Sequence, residues 1–142
     1  MTRMHDSAPL ARLLALSAAE LAGRLMDALH EAGFDDQRLA HNNVFPHIPR
    51  DGIRLTDLAE RGSMTKQAMS ELVLDLERLG YLQREADPAD RRARLITFTD
   101  RGWTAIAAAR VALRAIEDDL VARLGAERID ELRETLTEIL QD

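Results

Sequence analysis

The sequence predicts a mainly α-helical protein with a small β-hairpin wing, a winged helix-turn-helix between N- and C-terminal helices that pair two copies. Three observations predict it. Two long segments, 8–32 and 101–124, repeat Leu, Ile and Ala at three-and-four spacing, the period of an amphipathic helix. Between them, two short helical segments meet at a glycine-containing turn, as in a helix-turn-helix. The period then shortens to two over a pair of β-rich stretches around Asp87-Pro88-Ala89-Asp90, the pattern of a hairpin with a charged tip.

In the first segment the repeat is Leu10, Leu13, Leu14, Leu21, Leu25 and Leu29, and Gly33 ends it. Asp35 and Asp36 offer an N-cap for a second, shorter helix through Phe45, which Pro46 and Pro49 break before a turn at Asp51-Gly52. Thr56–Arg61 and Thr65–Leu79 form the helix pair, with Gly62-Ser63 between them and Thr65 as a cap. The second helix buries Met69, Leu72, Val73, Leu76 and Leu79. Tyr81–Ala86 and Arg94–Thr99 are the strands. The helix from 101 carries Ile106, Ala109, Leu113, Ile116, Leu120 and Leu124 inward, and a last helix follows Gly125. One domain is expected over 1–142, with 50–100 as the winged unit and the helices at 8–48 and 101–142 for dimerisation. Their apolar stripes exceed what so small a unit can cover.

Composition narrows the function. Nearly half the residues are apolar but only three Phe, one Trp and one Tyr are aromatic, so Leu and Ala supply the core. The absence of cysteine excludes disulfides, thiolate metal sites and thiol redox sensing. No run reaches the ~20 apolar residues of a membrane span, and residues 1–7 lack a signal pattern, so a cytoplasmic protein is expected. No nucleophile elbow, phosphate loop or zinc motif points to an enzyme, and no cofactor or metal is expected. His41 and His47 are six apart, off the three-or-four spacing of a shared ligand face, and His30 joins them only through tertiary contact.

The net charge of −6 is unevenly spread. Residues 50–101 hold ten basic and ten acidic residues, so the whole deficit falls on the flanks, where distance beyond about 8 Å screens it. With the apolar face of its helix buried, Lys66, Gln67 and Ser70 project from the other side, and Thr65 stands at its start. Lys and Gln suit guanine and adenine edges in a major groove, and the helix N-terminus favours a phosphate. Arg91, Arg92 and Arg94 cluster at the hairpin tip, where a cation can enter a minor groove. Asp90 is expected to pair with Arg92 or Arg94 and hold the tip in shape. The alternative is a winged-helix module that binds another protein and not DNA, for which three arginines on one tip serve no purpose. Trp103 is expected in the core.

Leu58-Ala59-Glu60-Arg61, Leu76-Glu77-Arg78-Leu79-Gly80-Tyr81, Asp87-Pro88-Ala89-Asp90-Arg91-Arg92 and Leu95 to Gly102 together resemble the multiple-antibiotic-resistance regulator (MarR) family. The resemblance is close over 55–102, and the order of flanking helices extends it over nearly the whole chain. It implies a homodimer, one winged unit per half-site of a near-palindromic operator on double-stranded DNA, and repression released by a small aromatic or phenolic ligand. Recognition positions map to Thr65, Lys66, Gln67 and Ser70, and the wing arginine to Arg92. A ligand pocket is expected near His41, Asn42, His47 and Trp103. The turn Gly62-Ser63-Met64 departs from the family's apolar-glycine-apolar pattern, and Pro46 and Pro49 are unusual there.

Overall fold

Three of the helices stop in the same way. The computed structural model describes residues 8–141; residue 142, the last of the expected C-terminal helix, lies outside them. Helix α1 (Leu10–Glu31) follows Pro9 and ends at Gly33, with φ of +102°. There the Phe34 amide donates to the Leu29 carbonyl at 2.9 Å and the Gly33 amide to that of His30 at 3.1 Å, the bond pair of a Schellman turn. Helix α3 (Lys66–Arg78) ends alike at Gly80, φ +88°. Helix α2 (Leu55–Arg61) repeats the pattern, but the left-handed residue is Ser63, at φ +52°. Gly62, at φ −82°, needs no such freedom. Its bareness instead makes room for Met69, whose Cε would lie 2.8 Å from a Cβ at 62.

The helix expected from Asp35 to Phe45 does not form. The chain makes two short 3-10 turns, Leu39–Asn43 and Phe45–His47, the second with Pro46 in its first turn. Asp36 caps nothing; its carboxylate accepts the Tyr81 hydroxyl and, at 2.9 Å, Arg101 Nη2. A long-range demand on the capping side chain has overridden its local preference.

Strands β1 (Leu82–Asp87) and β2 (Asp90–Phe98) pair antiparallel from Leu82↔Phe98 to Ala86↔Arg94, then shift register to Asp87↔Asp90. Thus β2 starts four residues earlier than the sequence suggests, and the turn is Pro88-Ala89 alone. Arg91, Arg92 and Arg94 lie on this strand and not in a loop, with 91–93 accommodated as a bulge. An isolated bridge ties Ile53 to Ile96 at the other side of β2.

Helix α4 (Asp100–Leu124) is capped by Thr99, which accepts the Gly102 amide at 3.0 Å. It starts hard against the hairpin: any side chain at Gly102 would overlap the Tyr81 carbonyl oxygen and press on the Phe98 ring. Its closest packing uses Gly102, Ala105 and Ala112. Of the expected stripe, Ile106, Ala109, Ile116 and Leu120 are half-buried, and Leu113 and Leu124 are exposed. Small residues allow α1 and α4 to approach, so the larger ones flank the seam. After Gly125, α5 (Ala126–Ile139) buries only Ile129. No helix among the described residues is long and apolar enough to cross a membrane.

The core lies under the helix pair. Leu58, Met69, Val73 and Leu76 are fully enclosed, with Val44 and Ile96 beside them. Tyr81 stands at its edge, 6.1 Å from the ring centres of both Phe34 and Phe45, with the Arg101 guanidinium 4.3 Å over its face. Trp103 is not a core residue. It packs on Phe98 at 4.9 Å and leaves 37% of its surface exposed.

Candidate nucleic-acid interface

The N-terminus of α3 is held by Thr65, whose hydroxyl accepts the Ala68 amide at 3.1 Å. That bond fixes the first turn and sends Lys66 and Gln67 outward; both are exposed, and Ser70 is half-buried one turn on. Behind them Met69, Val73 and Leu76 lock the opposite face into the core.

The acids of α3 are largely neutralised. Asp75 accepts from Arg38 Nη2 at 2.9 Å, His41 Nε2 at 2.7 Å and Arg78 Nη2 at 2.6 Å. Arg38 first, and then His41, hold its carboxyl down at about 2. Glu77 pairs with Arg84 of β1 at 2.6 Å. Of the three α3 acids only Glu71, exposed, enters no ion pair among the described residues.

The wing is braced from an unexpected residue. Arg54, just before α2, donates through Nε at 2.9 Å and Nη2 at 2.7 Å to one oxygen of Asp87. The other oxygen accepts the Ala89 amide at 2.9 Å. The Ala89 amide, and then Arg54, lower the Asp87 pKa. Asp90 shapes the wing by another route than expected: it accepts the backbone amide of Arg92 at 3.0 Å and lies 4.0 Å from Arg54. It pairs with neither the Arg92 nor the Arg94 guanidinium. Those two, Arg91 and Lys66 enter no ion pair among the described residues. The structure therefore gathers Thr65, Lys66, Gln67 and Ser70 on one helix end and the three arginines on one strand, with Arg54 linking wing to helix pair. An arginine 33 residues before its partner carries no local signal, and sequence reasoning missed it.

The expected pocket residues separate. His41 is fully buried with both ring nitrogens engaged: Nδ1 accepts the Arg38 amide at 2.9 Å and Nε2 meets Asp75. His47 is half-buried, its carbonyl facing Arg61, and His30 Nε2 donates to the Gln37 carbonyl at 3.0 Å. Asn42 lines a cavity between α1, the 3-10 turns and α4. Trp103 lines a broader cleft that shares Phe45, Pro46 and Ile106 with it. The cavity also takes in Gln37, which the sequence did not single out.

Two helices crossing at a tight turn, a two-stranded wing and long helices on either side define a winged helix-turn-helix protein. A family model described as the MarR family matches residues 47–93. The transcriptional regulator HosA of Escherichia coli is 32% identical over 78 residues, 55% of this chain and 58% of HosA, so the chain spans little more than half of that relative. The HTH-type transcriptional repressor Rv2887 of Mycobacterium tuberculosis is 29% identical over 139 residues, 98% of this chain and 99% of the repressor. Its solved structure, a complex with salicylic acid, superposes with a TM-score of 0.69 at 28% identity, covering 96% of this chain and 99% of the other. Apo MarR of E. coli shares the fold at 21% identity, with a TM-score of 0.74 over 94% of this chain and 98% of MarR. The chain is thus similar to MarR-family regulators over nearly its whole length.

Proposed function

We propose that this protein is a sequence-specific DNA-binding transcription regulator of the cytoplasm, a ligand-responsive repressor that grips a near-palindromic operator as a homodimer, with no catalytic activity. The observation that carries the reading is the pair of unspent cationic surfaces on one rigid unit. Lys66 and Gln67 stand at a capped helix start, and Arg91, Arg92 and Arg94 stand on a strand braced to the same helix pair, while Asp75 and Glu77 of the recognition helix are held in ion pairs. Lys66 and Gln67 read base edges, Thr65 and Ser70 bond phosphates or bases, and the wing arginines follow the minor groove. Residues 50–100 act as the winged unit. Helices at 8–48 and 101–142 pair two copies so that the recognition helices meet successive major grooves about 34 Å apart. That Rv2887 is named a repressor and was solved with salicylic acid supports the repressor and ligand parts of this reading.

The test is fluorescence anisotropy on the DNA upstream of the protein's own gene, titrated with salt. Arg92→Ala lowers the slope of log affinity against log salt by about one. Gln67→Ala costs about 1–3 kcal/mol and relaxes preference at particular base pairs. Unchanged affinity in both variants at moderate salt would remove this surface as the DNA contact.

A further inference from the structure

We propose that Lys66 is a modification site: its ε-amine accepts an acyl group from an acyl phosphate or acyl thioester, and the acylated chain is held off its operator. The inference rests on the DNA-binding reading above and adds a chemical control to it. Of the nineteen basic side chains Lys66 alone is a lysine; all the others are arginines. A guanidinium stays protonated and offers no lone pair to an acyl carbon, whereas a lysine amine does once it gives up a proton. No cysteine competes. His41 is buried with both ring nitrogens engaged, His30 Nε2 is bonded to the Gln37 carbonyl, and the buried Tyr81 hydroxyl donates to Asp36. An amine-seeking acyl donor therefore finds one side chain here, and that side chain stands on the surface assigned to DNA.

The fold presents that amine and leaves it uncommitted. Lys66 opens α3, and the Thr65 cap fixes the turn from which it projects, exposed. That turn holds no acid, and Lys66 enters no ion pair among the described residues. Around the same helix pair Arg38, Arg54, Arg78 and Arg84 are each tied to a carboxylate. The amine is thus open to a reagent in the free protein, and on DNA a phosphate or base edge covers it. The transfer balances with the donor alone. The ammonium gives one proton to solvent, and the Nζ lone pair attacks the acyl carbonyl carbon. An N–C bond forms, the C–O bond of the acyl phosphate or the C–S bond of the thioester breaks, and phosphate or thiolate leaves with the second proton. The side chain passes from one positive charge to none, so each subunit loses a cation against the DNA backbone. Because the reaction reaches only the DNA-free chain, it traps that state.

The test treats the full chain with acetyl phosphate and, separately, with acetyl coenzyme A. Peptide mass mapping locates the acetyl groups, and fluorescence anisotropy on the DNA upstream of the gene reads their effect. Acetylation of Lys66 lowers operator affinity by at least about tenfold and the salt slope by about two per dimer, one for each subunit, with the helical circular dichroism signal unchanged. Modification by one donor and not the other identifies the source and supports the site. Operator DNA at about a hundred times its dissociation constant slows acetylation of Lys66 by about tenfold or more, while the α-amine of the chain keeps its rate. Lys66→Arg is compared only with itself: whatever affinity it starts from, the reagents leave that affinity unaltered. Lys66 left unmodified by both donors, or modified as fast on the operator as off it, would overturn the proposal. So would acetylated protein that binds as tightly as untreated protein, or a Lys66→Arg chain that the reagents weaken as much as the wild type. The DNA-binding reading fails separately, through Gln67→Ala and Arg92→Ala, neither of which alters the amine.

Discussion

The winged unit and the helical frame around it solve opposite problems. In the winged unit most of the apolar residues are enclosed: Leu58, Met69, Val73, Leu76 and Ile96 see almost no solvent, and on the recognition helix and the wing Lys66 and three arginines enter no ion pair among the described residues, with Glu71 as an unpaired acid beside them. In the frame, which carries the whole acidic excess, ion pairs tie one element to another. Arg24 pairs with Asp119 at 2.9 Å, Arg133 with Glu117, and Arg101 with Asp36. There it is the apolar residues that are left over, with Val111 71% and Ile139 51% exposed and a groove running past Leu21, Ile116, Leu120 and Leu136. A surface that leaves cations free suits a polyanion, and one that leaves Leu and Ile free suits a copy of itself. The two surfaces divide the work of binding between them.

The largest effect is expected where the frame is incomplete. Ile139→Asp puts a charge on the uncovered stripe of α5, and dimer dissociation constants rise by about a hundredfold or more, as for a charge desolvated without a partner. Light scattering at micromolar concentration then reports a monomer while circular dichroism keeps its helical signal. A stable wild-type monomer in the same experiment would break the comparison outright.

Next is the join between the two regions. Gly102→Ala forces a methyl into the Tyr81 carbonyl and the Phe98 ring, an overpacking that costs about 1–3 kcal/mol. Urea unfolding measures it, and an unchanged midpoint would mean that frame and wing unit are less tightly apposed than they stand here.

A smaller effect follows from Asp75. Its carboxyl is held at about 2, below the ordinary 3.8, so the folded state binds fewer protons than the unfolded one in that interval. The stabilisation is complete above about pH 4 and is lost as pH falls through the folded value near 2. Asp75→Asn removes this dependence, and acid titrations of the two proteins diverge above pH 4 and converge towards pH 2.

The smallest is Ser63→Gly. A serine at φ +52° sits in a region that disfavours L-residues, so the substitution stabilises the winged unit by about 1 kcal/mol, readable as a higher urea midpoint with unchanged slope. It leaves the dimer constant alone.

Helix ends were legible because their signals are local: Gly33, Thr65, Gly80 and Thr99 act on amides and carbonyls within four residues. The segment from 35 to 47 was not, since Asp36, His41 and Gln37 are engaged with residues or a cavity far along the chain. The wing lay between these extremes. Its existence follows from the change of period, but the start of β2 depends on Asp87 and Asp90 folding their carboxylates back onto amides two residues away. In α4 the alternation of large and small apolar residues misleads, because the closest helix seam selects Ala105 and Ala112 over Leu113 and Leu124. At the site, exposed Lys66, Gln67 and the arginines were readable from the pattern; Arg54, whose partner is 33 residues away, was not.

The Arg54–Asp87 brace also bears on how such proteins exchange parts. A hairpin transplanted from one relative into another carries its own turn and its own arginines, but its direction is set by a residue outside the transplanted stretch. A graft spanning 82–98 alone inherits the wing's letters and leaves behind both Arg54 and the Ile53 backbone bridged to Ile96; one that begins at Ile53 moves them together. The piece of this molecule to exchange whole is therefore the run from Ile53 to Phe98, and recombination within that run separates parts that hold one another.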